Sequence, residues 1–138
     1  MLFVFDENFP VEFVHGFSVL EKANRRSKIS VEVVFSPEFN GCKIGSIDTD
    51  IIKAASNKYA VIVTHDSDFK RIKHYKTLLI EHKVGYIYFK VPKGVYEYWD
   101  IVKAFINKWE ELKEQISNSE IPFAFEVSKQ GQITKLNF

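Results

Sequence analysis

Short apolar runs alternate with segments of helical spacing along most of this chain, and this alternation constrains its fold more than any other feature. The runs cover residues 2–5, 31–35, 60–64 and 85–89. Apolar runs of this length are typical of strands buried on both faces of a parallel sheet. Between the runs, apolar side chains recur three and four residues apart, as in amphipathic helices. The pattern predicts right-handed βαβ units and a parallel sheet with helices on both faces.

The last third of the chain has a different pattern. A long helix is expected over residues 95–117, and residues 123–138 alternate around Lys129-Gln130-Gly131, which predicts an antiparallel hairpin. The expected fold is α/β, with three layers, about four parallel strands and this hairpin. We expect residues 1–118 to form one α/β domain and residues 119–138 to be a hairpin extension packed on it.

Composition limits the classes of partner and site. The formal net charge of +1 gives no global attraction to nucleic acid, so an anionic partner must be held by local patches. The single cysteine, Cys42, excludes an internal disulfide and a cysteine-based zinc site. No apolar segment reaches membrane-spanning length. We expect a cytoplasmic protein without a membrane partner, and the thirteen Phe predict a Phe-rich core rather than an aromatic recognition surface.

Carboxylates follow two of the predicted strands at the points where the strands end. Asp6 comes directly after the first strand, and Asp66 and Asp68 follow the third. Ligands of open parallel sheets bind at the carboxyl ends of the strands. If these two strands are neighbours, the three carboxylates meet at one edge of the sheet. Taken singly, each of them also suits a turn or the first turn of a helix.

Asp48 is a fourth candidate. It precedes Ile51, Ile52 and Ala55 by three, four and seven residues, which places it on the buried face of a helix at its first turn. A carboxylate there either caps the helix or faces the sheet edge, and the spacing leaves both interpretations open. Asp50 belongs to the opposite, solvated face.

Four gathered carboxylates need a cation. A pair of like charges ~4 Å apart costs roughly 1 kcal/mol in water and about 4 kcal/mol at an effective dielectric near 20. Hard oxygen ligands, with few His and one Cys nearby in the sequence, favour Mg²⁺ or Mn²⁺ over zinc. We therefore expect one divalent-metal pocket, formed by Asp6, Asp48, Asp66 and Asp68.

Three segments resemble those of a known family: Phe5-Asp6-Glu7-Asn8-Phe9-Pro10, Asp48-Thr49-Asp50-Ile51-Ile52 and Val63-Thr64-His65-Asp66-Ser67-Asp68-Phe69. Over about residues 1–95 the chain resembles the short PIN-like proteins, relatives of the toxin ribonucleases of bacterial toxin–antitoxin pairs. The resemblance implies a PIN-like fold and catalytic, metal-binding roles for the four aspartates. It also implies a Mg²⁺- or Mn²⁺-dependent endoribonuclease that leaves a 5′ phosphate. The partners implied are single-stranded RNA, an antitoxin protein and further copies of the chain. The longer loop before Asp48, the last helix and the hairpin depart from the pattern.

Polar residues beside the acids suggest supporting roles. Thr64 can hydrogen-bond a carboxylate or a metal-bound water, and Asn8 shares strand parity with Asp6 and can hold it in place. For His65 a structural role is favoured over proton transfer, because strand alternation directs it away from Asp66.

Basic residues follow the third and fourth strands. Lys70, Arg71 and Lys73 come directly after the acidic motif, and Lys90 follows the fourth strand. By count alone such a run is a solvated helix face. Its place next to the expected pocket makes it a candidate for contacts with RNA phosphates.

Two other classes of function fit part of the pattern. A phospho-acceptor receiver domain also has acids after strand one, but it needs a hydroxyl residue after strand four and a Lys after a fifth parallel strand. Here strand four ends Tyr88-Phe89-Lys90, and no fifth parallel strand is evident. A phosphatase with an Asp-x-Asp motif does not fit Asp6-Glu7-Asn8. A non-catalytic PIN-like module would keep the fold and bind a partner through the exposed edges of the hairpin.

Overall fold

The structure, a computed structural model, describes residues 1–65, 70–90 and 98–137, with the backbone alone for residues 70–73. Its strands are β1 (Leu2–Phe5), β2 (Glu32–Phe35), β3 (Ala60–Thr64), β4 (Gly85–Phe89), β5 (Ala124–Val127) and β6 (Ile133–Leu136). Its helices are α1 (Val11–Ala23), α2 (Asp48–Ala54), α3 (Lys70–His82) and α4 (Tyr98–Ser117), with a 3-10 turn over Ser36–Glu38. Within the described ranges, no helix combines the length and the apolar character needed to cross a membrane.

All six strands form one sheet, in the order β2-β1-β3-β4-β5-β6. The pairs from β2 to β5 are parallel, and only β6 runs antiparallel to its neighbour. The chain leaves β1 for β2 on one side and then crosses to β3 on the other side. The strand order therefore reverses between β1 and β3, and in open parallel sheets a ligand-binding crevice forms at such a point.

The α/β class and the C-terminal antiparallel pair are confirmed, but the expected number of parallel strands was too low. The sheet has five parallel strands, because β5 pairs in parallel with β4 through the register Tyr86↔Ala124 to Phe89↔Val127. The sequence pattern showed only the local hairpin between β5 and β6. The pairing of β5 with β4 spans the whole of α4, and local alternation carries no signal for it. The hairpin is thus the edge of the main sheet.

Aromatic rings form the core on the face covered by α1 and α4. Of the eleven Phe within the described residues nine are buried, which confirms the predicted Phe-rich core. Phe105 of α4 is fully buried and lies with its ring centroid 5.1 Å from that of Phe5 and 5.2 Å from those of Phe17 and Phe89. Edge-to-face and offset ring pairs at these distances add packing energy beyond the area that they bury. This cluster fixes β1 and the segment that follows it.

The other face is aliphatic and is covered by α2 and α3. Ile51 and Ile52 of α2 are buried, as their spacing predicted, and they pack with Leu79 of α3 and Ile62 of β3. The helices thus lie on both faces of the sheet, as expected. Helix α2 is only seven residues long, and its buried residues Ile51 and Ile52 follow Asp48 by three and four positions. Its first residue, Asp48, is therefore close to the sheet.

Gly85 at the start of β4 provides a test of this packing. A Cβ there would lie 2.8 Å from ring atoms of the buried Phe123 and 3.2 Å from a methyl group of Val61. We expect Gly85→Ala to lower the free energy of unfolding by about 1–3 kcal/mol, the usual cost of overpacking. The matched control is Gly16→Ala in α1, where a Cβ would have no neighbour within 4 Å. It should raise that free energy by about 0.5–1 kcal/mol through helix propensity. Urea denaturation of both variants measures the two shifts, and a Gly85→Ala protein as stable as the parent would contradict this packing.

Candidate metal centre

Asp6 lies where the strand order reverses. It follows β1 directly, and its backbone N–H donates a hydrogen bond of 3.0 Å to the carbonyl of Val63 in β3. The expected adjacency of strands one and three is confirmed, with Phe5 paired to Val63 in parallel register. Asp6 and Thr64 therefore stand side by side at the carboxyl edge of the sheet.

The Asp6 carboxylate is almost fully buried, with 4% of the residue exposed, and it accepts hydrogen bonds on both oxygens. The backbone N–H of Asn8 donates to Oδ1 over 2.9 Å. The Thr64 hydroxyl donates to Oδ2, and the Asn8 side-chain amide lies 3.5 Å from that oxygen. These contacts fix the orientation of the carboxylate, because a buried polar group is stable only when it is hydrogen-bonded.

Electrostatics make Asp6 an unusual carboxyl group. The pKa of Asp6 is raised from 3.8 to about 6, chiefly by burial and in smaller part by the charge of Asp48. The hydrogen bonds from Thr64 and Asn8, and the charge of His65, act against the rise. Desolvation and a neighbouring like charge both disfavour the ionised form. A cation at this point would relieve both effects.

Asp48 is the first residue of α2, and it is half-buried. The position before it, Ile47, is the N-cap, and no side chain caps this helix end. The alternative interpretation of Asp48 as the N-cap residue is therefore wrong, since the helix begins one residue earlier than a cap at Asp48 requires. Asp48 faces Asp6 across a shared cavity, whereas Asp50 is exposed.

The turn after β1 is anchored by a histidine and a phenylalanine. Nε2 of His65 lies 2.5 Å from the backbone carbonyl oxygen of Asn8, and a carbonyl can only accept, so this ring nitrogen carries the proton. The His65 ring also packs edge-to-face against Phe9, with centroids 4.9 Å apart. Phe9 is buried in the aromatic cluster. His65 thus connects the turn that holds Asp6 to the end of β3.

A cavity of about 260 Å³ opens between β1, α2 and α3. Its lining comprises Asp6, Glu7, Asn8, Gly45, Ser46, Ile47, Asp48, Ile51 and Tyr75. Sequence reasoning placed Asp6, Asn8 and Asp48 at the site and did not place the other six there. Glu7, whose Oε2 accepts a hydrogen bond of 2.9 Å from the Gly45 N–H, was missed because the chain turns after Asp6 and strand alternation no longer applies. Tyr75 of α3 packs against the aliphatic core and also borders the cavity, and helical spacing alone gives no sign of the second contact.

The structure brings some of the predicted site residues together and leaves others undescribed. Asp6, Asp48, Asn8 and Thr64 meet around the cavity and its floor. Asp66 and Asp68, and the side chains of Lys70, Arg71 and Lys73, lie outside the described residues. Lys90 is described, and its Nζ forms an ion pair of 2.7 Å with Oε1 of Glu126 on β5.

The donor set at the cavity suits a hard divalent cation. In the part of the chain that the structure describes, no three residues among His, Cys, Asp and Glu are grouped so that they could hold a metal ion. The described residues supply two carboxylates, from Asp6 and Asp48. Carboxylate oxygens are the ligands that Mg²⁺ and Mn²⁺ prefer, so the residues present fit such an ion.

Comparison with known proteins gave one match. A family model described as a PIN like domain matches residues 1–91, about two thirds of the 138 residues. The matched region contains β1 to β4 and every residue that lines the cavity. Searches of curated proteins and of solved structures found no match.

The raised pKa of Asp6 predicts how stability depends on pH without metal. A carboxyl group whose folded pKa exceeds its unfolded value stabilises the fold at acid pH and loses that contribution as pH rises through the folded pKa. We expect the free energy of unfolding of the parent, relative to Asp6→Asn, to fall by on the order of 2–3 kcal/mol between pH 4 and pH 7. Urea denaturation in EDTA measures this difference. The control variant Asp50→Asn removes an exposed carboxylate from the same region but keeps Asp6, so it should show the same fall relative to Asp6→Asn as the parent does. A parent curve parallel to that of Asp6→Asn would contradict the prediction.

Proposed function

This chain belongs to the PIN-like domain family, and on that premise we propose that it is a Mg²⁺- or Mn²⁺-dependent endoribonuclease. PIN domains generally use divalent metal ions. The observation that carries the proposal is the buried, hydrogen-bonded carboxylate of Asp6 facing Asp48 at the reversal of strand order. A fold that desolvates one carboxylate beside another loses stability, and a bound cation would offset that loss. Carboxylates arranged in this way are therefore typical of functional sites.

Asp6 and Asp48 would hold the ion in this assignment, together with Asp66 and Asp68 from the segment after β3. When bound, the ion supplies Lewis acidity at the scissile phosphate and lowers the pKa of a water. The chain's own contribution is orientation. Thr64 and the Asn8 backbone hold the Asp6 oxygens in one direction, and His65 holds the Asn8 turn.

Basic residues at the same edge of the sheet would hold the RNA phosphates. The backbone of α3 begins at Lys70, directly after the segment that carries Asp66 and Asp68. We assign the phosphate contacts to Lys70, Arg71 and Lys73, with Lys90 beyond β4 as a further contact. Lys90 would have to exchange its ion pair with Glu126 for a phosphate.

A more specific form of the nuclease proposal is that the protein is the toxin of a toxin–antitoxin pair, with an antitoxin protein as its partner. It rests on the likeness of the segments around Asp6, Asp48 and Asp66 to those of short PIN-like proteins, which are relatives of the toxin ribonucleases. A non-catalytic PIN-like module is the second candidate. The outer strand β6 favours it, because β6 is the last strand of the sheet and the exposed backbone groups of an edge strand suit strand addition.

One of the two arguments against a receiver domain no longer holds, because β5 is the fifth parallel strand that such a domain requires. The other objection stands, since β4 ends at Phe89 and Lys90 follows it without a hydroxyl residue. Membership of the PIN-like family favours the nuclease over the receiver.

Replacing the pocket aspartates tests the nuclease directly. We expect Asp6→Asn and Asp48→Asn each to lower the rate of Mn²⁺-dependent cleavage of single-stranded RNA by at least ~100-fold, because each removes a metal ligand. The rise in melting temperature on adding millimolar Mn²⁺ should shrink in both variants. Asp50→Asn and Asp100→Asn are the matched controls and should behave as the parent does. Cleavage that is equal in parent and pocket variants would reject the assignment, and a parent that neither cleaves RNA nor responds to Mn²⁺ would favour the binding module.

A second variant tests the phosphate contacts. We expect the triple change of Lys70, Arg71 and Lys73 to Ala to weaken RNA binding and to lower the slope of log affinity against log salt by up to ~2. The control triple, Arg25, Arg26 and Lys28 to Ala, removes the same charge from the end of α1 and the segment before β2, at the opposite edge of the sheet. It should leave the slope nearly unchanged. Equal slopes in both triples would show that the residues after β3 form only a solvated face.

A further inference from the structure

The cavity at the metal centre has two chemically different halves. One half is acidic and polar, with Asp6, Glu7 and Asp48. The other half is apolar and is formed by Ile47 and Ile51 at the start of α2 and by Tyr75 of α3. A metal ion would use the carboxylates of the first half, whereas the second half adds apolar surface to the cavity that a metal ion does not contact. The apolar half therefore calls for a second ligand group, attached to whatever the acidic half binds.

Helix geometry places the two halves next to each other. Ile51 lies four residues after the N-cap Ile47 and three after Asp48, so each of them neighbours Ile51 on the surface of the first turn of α2. The carboxylate of Asp48 is thus flanked by aliphatic side chains on its own helix. Ile51 is buried with 3% exposure and forms the floor, whereas Ile47 is 61% exposed and forms the rim. Such an exposed isoleucine beside an acidic pocket is suited to cover an apolar ligand.

Tyr75 of α3 is the aromatic residue among the described residues that line the cavity. It is half-buried and packs against the aliphatic core beneath α2 and α3. The residue is therefore held by the fold on one side while its other side borders the cavity. Rings held in this way stack well on nucleobases, because they lose little conformational freedom on binding.

We propose that Tyr75, Ile47 and Ile51 form the seat of one unpaired nucleobase of the RNA, the base next to the phosphate at the Asp6–Asp48 pair. This inference rests on the proposed nuclease function for the position of that phosphate. The cavity of about 260 Å³ is slightly below the size of small-ligand pockets, roughly 300–1,000 Å³, so it takes one nucleotide-sized group. A base in a duplex is stacked between its neighbours and has to leave the stack to enter such a cavity. The substrate class that follows is RNA with an unpaired nucleotide at the cleavage point.

Aromatic stacking and simple core packing make different demands at position 75. Tyr75→Phe keeps the ring, and Tyr75→Leu keeps apolar volume without a ring. Stacking on a base is retained only by Phe, whereas a packing role is largely retained by both. Tyr59→Leu is the matched control, because Tyr59 is 59% exposed and precedes β3, at the opposite edge of the sheet.

The experiment measures the binding of a short single-stranded oligoribonucleotide that carries 2-aminopurine, with Ca²⁺ in place of Mg²⁺ and Mn²⁺. Stacking quenches the fluorescence of 2-aminopurine. We expect the parent, Tyr75→Phe and Tyr59→Leu to bind and quench alike. Tyr75→Leu should bind ~5- to 100-fold more weakly and lose the quenching, as expected for one lost base–aromatic stack. The same sequence in a duplex should bind more weakly and show less quenching in every protein.

Failure of this inference can be told apart from failure of the nuclease assignment. Quenching that depends on the ring at position 75, without any cleavage in Mn²⁺, would reject the nuclease and leave the base seat in place. Metal-dependent cleavage together with equal binding and quenching by the parent and Tyr75→Leu would overturn the base seat alone. A parent that does not quench 2-aminopurine, or that prefers the duplex, would also overturn it.

Discussion

The parallel pairing of β1 with β3 is the contact on which the candidate site depends. Through it, Asp6 donates its backbone N–H to Val63 and stands beside Thr64, whose hydroxyl donates to its carboxylate. Because the strand order reverses at this pair, a crevice opens at the carboxyl ends of the two strands. The carboxylate is therefore buried, oriented and next to an open cavity at the same time. None of these properties follows from Asp6 alone.

The aromatic core beneath this edge makes the site rigid. Phe5 and Phe9 bracket the Asp6 turn, with ring centroids 5.1 Å apart, and both pack on Phe105 of α4. A buried carboxylate beside another carboxylate opposes folding, and the packing of these rings offsets that cost. Functional groups held by packed elements keep their geometry better than groups on free loops. The turn after β1 is short and is fixed at both ends by buried Phe.

The part of the chain beyond the family match completes the domain. Residues 92–138 contain α4, β5 and β6, and α4 provides Phe105 and Trp109 to the core over β1. Without α4, much of the aromatic face of the sheet would be exposed to water, at roughly 25 cal/mol for each Å² of apolar surface. The last strands extend the same sheet, with β5 parallel to β4. The residues that the family model matches therefore include the site, while the rest of the chain supplies packing that supports it.

The sequence by itself determined the strands and helices, the order in which they occur and the place of the carboxylates at strand ends, because apolar periodicity and chain position are local properties. Residues 85–89, for example, form the expected strand, and residues 98–117 form a helix within the range expected for it, 95–117. Only the tertiary structure decided that β5 joins the sheet in parallel, that Asp48 follows rather than forms the helix cap, and that Glu7 and Tyr75 border the cavity. Each of these facts depends on contacts between residues distant in the chain or on a turn that ends strand alternation. The pKa of Asp6 is likewise a tertiary property, since burial and the charge of Asp48 set it, and both exist only after the sheet and α2 have packed together.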